Sequence, residues 1–110
     1  MDVTVKVEGK DYGFRFTMIT LEKLGRRVGK EYHEIFDYLQ KEPFGAMNNI
    51  FVCGNMVYNK GEEMSEYDMD DLIESMTADQ IKEVRSAFSE SLAKMLDKFT
   101  KFADVESKKN

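Results

Sequence analysis

VTVKVEGKDYGFRFT, residues 3–17, alternates apolar and polar side chains: Val3, Val5 and Val7 with Thr4, Lys6 and Glu8, then Tyr12, Phe14 and Phe16 with Gly13, Arg15 and Thr17. A period of two belongs to half-buried strands, and Gly9 with Lys10 supplies a turn between them, so residues 2–17 are predicted to form a β-hairpin with one apolar face. Two strands alone are marginal in water. The valines and aromatics must therefore be covered by another element, and the rest of the chain reads as helical.

From Met18 the period lengthens. Met18, Leu21, Leu24 and Val28 share one helical face, Glu22, Lys23, Arg26 and Arg27 fall on others, and Gly29 supplies a stop. Tyr32, Ile35, Phe36 and Leu39 keep the same spacing up to Pro43, which suits the first turn of a third helix. There Met47, Ile50, Phe51, Gly54, Val57 and Tyr58 make one face while Val52, Cys53 and Met56 fill much of the rest, the mark of a central helix. Asn59, Lys60 and Gly61 end it. Ser65 and Asp68 form a capping pair ahead of the stripe Met69, Leu72, Ile73 and Met76. Thr77 and Gln80 form a second pair, opening the longest helix, striped by Ile81, Val84, Phe88, Leu92, Met95, Phe99 and Phe102.

The predicted class is α+β, mainly α: an N-terminal β-hairpin packed on a bundle of about five helices. One domain takes residues 1–103, with the hairpin at 2–17 and the helical part at 18–103, and residues 104–110, which lose the apolar stripe, are assigned to a disordered tail. Phe14, Phe16, Leu21, Ile50, Phe51, Ile73, Val84 and Phe88 are expected to share one core.

A chain of 110 residues that is 42% hydrophobic can bury such a core without covalent staples. Cys53 has no second cysteine to pair with, and Cys53 and His33 together are too few for a structural zinc site, so neither metal nor cofactor is expected. The opening residues carry Asp2 and alternate in polarity, unlike a signal peptide. Charges recur too often for a membrane span. A net charge of -5 and a pI near 4.9 have the wrong sign for gripping phosphate backbones, so neither membrane nor nucleic acid is an expected partner.

That charge is segregated. Residues 1–58 hold eight basic and eight acidic side chains, 59–79 one and eight, and 80–110 seven and five. The acidic stretch is not a calcium loop: starting from Asp68, the fifth position is Leu72, the sixth Ile73 and the twelfth Asp79, where the EF-hand needs a ligand, a glycine and a glutamate. It reads instead as a rim for a basic partner or as the solvated start of a helix. Carboxylates speed encounter, and flexible thioethers supply an adaptable contact. The residues expected to bind a partner are therefore Glu66, Asp70, Asp71 and Glu74 with Met69 and Met76, joined by Phe99 and Phe102 on the long helix.

No constellation for catalysis stands out. Cys53 lies inside the most apolar helix, where ionisation is suppressed, and His33 is expected on a solvent side. Neither phosphate-cradling pattern, G-x-x-x-x-G-K-[ST] or G-x-G-x-x-G, occurs, and Asp70 and Asp71, being adjacent, diverge on a helix. A binding role, not an enzyme, is the expectation.

YGFRFT (12–17), MITLEKLGRRVG (18–29), FGAMNNIFVCGNMVY (44–58), MSEYDMDDLIESM (64–76) and TADQIKEVRSAFSESLAKML (77–96), taken in this order, resemble the tail assembly chaperones of long-tailed bacteriophages. The resemblance runs roughly from Val3 to Phe102 and rests on apolar spacing. It implies a protein that binds unassembled tape measure and tail tube proteins in the cytoplasm of the infected bacterium and is absent from the mature virion. It also implies a longer, frameshifted form beside the short one. A small acidic adaptor that inhibits a host factor, a minor tail or connector protein, and self-association into a homo-oligomer remain open beside it.

Overall fold

The computed structural model describes the backbone of residues 2–109 and the side chains of residues 2–31 and 33–98. It runs β1 (Asp2–Val7), β2 (Lys10–Arg15), α1 (Met18–Val28), α2 (Tyr32–Lys41), α3 (Pro43–Tyr58), α4 (Glu66–Ser75) and α5 (Ala78–Lys109). The fold is α+β and mainly α, an antiparallel hairpin followed by five helices.

The hairpin pairs Val3 with Phe14, Val5 with Tyr12 and Val7 with Lys10. Its turn is centred on Glu8 and Gly9, one residue earlier than the sequence suggests. Both carry positive φ, 51° and 81°, as a two-residue turn matched to the strand twist demands. Lys10 is thereby released into β2.

α3 is the hub and touches β2, α1, α2, α4 and α5. Phe51, Val52, Cys53, Gly54 and Asn55 are buried in unbroken succession, so this helix has no solvent face at its centre. Phe14 meets Phe51 edge to face at 5.4 Å, and Phe16 meets Phe88 of α5 at 5.5 Å. Close approach is bought with glycine: the Tyr58 ring occupies the space a Gly13 side chain would need, and Phe16 lies against Gly54. Side chains also seize carbonyls of the hairpin. Asn55 Nδ2 donates to Gly13 O at 2.9 Å, Thr20 Oγ1 to Arg15 O at 2.6 Å, and Gln80 Nε2 to Lys6 O at 2.7 Å.

Seven of the eight expected core residues are buried, while Ile50 is half-buried at the margin of the same cluster. Met18 departs further. It is 45% exposed, because the buried stripe of α1 is Thr20, Leu21, Leu24 and Gly25. Thr20 accepts from Thr17 N at 3.0 Å while donating to Arg15 O, and those two bonds turn it inward. Thr77 and Gln80 exchange the reciprocal bonds of a capping box at 3.0 and 3.1 Å, opening α5 where the sequence places it. α5 holds Val84, Ala87, Phe88, Ser91 and Met95 against the body. Its helical backbone continues through 104–109, the span assigned above to a disordered tail, since no glycine or proline there interrupts it. Thirty-two residues of helix make it about 48 Å long, against a cross-section of 25 by 24 Å.

Candidate functional site

α4 begins at Ser65, whose Oγ accepts from Asp68 N at 3.0 Å, and Glu66 and Asp68 in its first turn suit the positive end of the helix dipole. Arg27 of α1 reaches into this region. Its guanidinium contacts Glu63 at 2.6 Å and Glu66 at 3.9 Å and donates to Asn49 Oδ1 at 2.8 Å, while Asn49 in turn donates to the Tyr38 hydroxyl at 2.7 Å. Part of the acidic stretch is thus tied to the fold by one arginine that the sequence places off the apolar face of its helix.

The methionines do not join the acidic surface. Met69 is fully buried and Met76 is 7% exposed, so both belong to the core and neither lies open to a partner. The reason is helical phase: Met69, Leu72, Ile73 and Met76 form one i, i+3, i+4, i+7 stripe, and the body lies beneath it. Glu66, Asp70, Asp71 and Glu74 are exposed as expected. The side chain that accompanies them is Tyr67, 78% exposed, at the same i, i+3, i+4, i+7 spacing to Asp70, Asp71 and Glu74 on the opposite face. That spacing was readable in the sequence but was masked by the more apolar stripe. Phe99 and Phe102 lie outside the residues whose side chains are described.

The exposed apolar surface sits elsewhere. Ile19 is 55% exposed and points away from the buried stripe of α1, with Met18 on its flank. Two open grooves meet at this pair. One, of about 700 Å³, lies between the end of β2, the first turn of α1 and the last turn of α3, where Met56 and Val57 complete an apolar floor beside Arg15, Lys23 and Lys60. The other, of about 580 Å³, runs along α1 towards Ile35 of α2 and mixes Glu22 and Glu31 with Arg26 and Lys30. Phe44, 84% exposed in the first turn of α3, is a further exposed aromatic side chain.

Groups able to do chemistry are few among the described residues. Cys53 is fully buried, and that burial pushes its thiol up to about 11, with Arg27 partly opposing, so at neutral pH it is a small apolar filler. His33 is exposed, as expected, but it has neighbours that the sequence reading overlooks. Glu31, His33 and Glu34 each offer a ligand atom within 4.8 Å of the others. Both carboxylates already accept backbone N–H groups in the box that opens α2, a structural use that accounts for their proximity. Asp2 is held below the usual carboxylate range by two hydrogen bonds from Arg15, both 2.9 Å. Among the described residues no helix is long and apolar enough to cross a membrane. Comparisons with protein-family models, with curated proteins and with solved structures give no match for this chain.

Proposed function

We propose that the protein is a non-catalytic binding protein of phage assembly, a tail assembly chaperone that holds unassembled tube or tape measure subunits. It acts in the cytoplasm of the infected host and is left out of the finished virion. The observation that carries this reading is the exposed Met18 and Ile19 pair with a groove on either side: an apolar surface that the fold does not need for its own core, framed by charge. The order of elements and the apolar spacing that resemble the tail chaperones supply the identity of the clients.

Co-expression with each candidate client is the test. The tube protein or the tape measure protein copurifies with the chain and gains solubility from it, and mass spectrometry of purified virions finds none of its peptides. If neither client copurifies, the assembly reading falls.

The outward face of α4 favours a second reading. Tyr67 among Asp70, Asp71 and Glu74 presents carboxylates where a nucleic-acid-binding host factor expects phosphates, as an inhibitory adaptor would. Competition between this chain and DNA for such a factor separates the two.

A further inference from the structure

We propose that the groove between the end of β2, the first turn of α1 and the last turn of α3 docks a protein segment that carries an apolar anchor flanked by carboxylates. The proposal rests on the client-holding reading and deepens it, fixing which surface engages the client and what chemistry the client presents there.

Charge selects that occupant. In a chain of net charge -5, this groove is lined by three cations, Arg15, Lys23 and Lys60, and by no carboxylate. Arg15 is neutralised by Asp2 at 2.9 Å, but Lys23 and Lys60 form no ion pair among the described residues. They are the cations left for a partner. Lys60 sits at the lip in a left-handed conformation, φ 58°, its N–H donating to Val57 O at 3.2 Å. The acidic face of α4 repels the same partner, so the local cations make this groove the more favourable approach.

The floor selects the anchor. Met18, Met56 and Val57 surround Ile19, and two of these four side chains are flexible thioethers that reshape around different apolar groups. Ile19 lies opposite the buried stripe of α1, so core packing gives no reason for an isoleucine there. An anchor seated beside it removes both from water, while Lys23 and Lys60 meet the flanking carboxylates at the wetter rim.

The test uses the full chain and a fluorescein-labelled synthetic amphipathic peptide with leucines on one helical face and glutamates on the other. A version with lysines in place of glutamates is the control, and fluorescence anisotropy is the readout. The glutamate peptide binds saturably and more weakly as salt rises, and the lysine peptide does not bind. Ile19→Ser, and separately Lys23→Glu with Lys60→Glu, each weaken binding roughly tenfold or more. Neutralising Asp70, Asp71 and Glu74 does not weaken it. All these positions are outside the core, and thermal melts check that each variant folds. Absence of saturable binding, equal binding of the lysine peptide, or indifference to both groove variants overturns the proposal. So does a wild-type dimer in sedimentation that Ile19→Ser dissociates, because the occupant is then a second copy. The peptide involves no tail protein: peptide binding without client copurification sinks the assembly reading alone, and client copurification that survives Ile19→Ser sinks the groove alone.

Discussion

Helices α1 and α4 are 11 and 10 residues long, each opens near a hydroxyl residue, and each offers methionine to its surroundings, yet they use it oppositely. α4 buries Met69 and has Met76 buried at its C-cap, while α1 leaves Met18 and Ile19 in solvent. The difference lies in what fixes the rotation of each helix. In α4 the stripe is wholly apolar and burial alone sets the phase. In α1 a polar residue belongs to the stripe, because Thr20 must bond both Thr17 N and Arg15 O, and that requirement swings Ile19 outward. A local hydrogen bond at one turn thus decides which apolar side chains become surface.

Three substitutions test that contrast. Met69→Ala deletes a fully buried side chain and should cost about 2 to 5 kcal/mol in urea denaturation. A change below about 0.5 kcal/mol would return Met69 to the surface and restore the acidic, methionine-lined patch. Thr20→Val keeps the shape but strands the Thr17 N–H and the Arg15 carbonyl, with an expected loss of about 1 to 2 kcal/mol. If the valine variant is as stable as the parent, the hydroxyl does not set the phase of α1. Ile19→Ala should shift stability by no more than about 0.5 kcal/mol, since the side chain is more than half exposed. A larger loss in thermal melts would mean that Ile19 packs within its own chain and is not free for a partner.

What was legible in the sequence follows from the same physics. Alternation in residues 3–17, the period change at Met18, Pro43 at a first turn and the capping pairs of Ser65 and Thr77 all depend on neighbours within four residues, and each element stands where they put it, with the hairpin turn shifted by one residue. α3 was legible as central because it is apolar on most sides. The phase of α1 was not, since Thr20 counts as polar in any periodic reading while its partners lie in the preceding loop and strand. Asn55 was equally hidden: its buried amide serves Gly13 O, 42 positions away. For the candidate surface, the outward acids of α4 could be read from spacing. The basic groove could not, because Arg15, Lys23 and Lys60 converge only after β2, α1 and α3 have packed.

The side-chain amides and hydroxyl that grip the hairpin have one more effect. A two-stranded sheet has two open edges, and an outward-facing carbonyl is an invitation for a foreign strand to add itself. Lys6 and Gly13 belong to the pairs whose backbone groups face outward, as does Arg15 opposite Asp2. Gln80 takes the carbonyl on one edge, and Asn55 and Thr20 take those on the other. A strand adding itself at these positions would have to displace those three side chains, which favours a partner that lodges side chains in the grooves over one that extends the sheet.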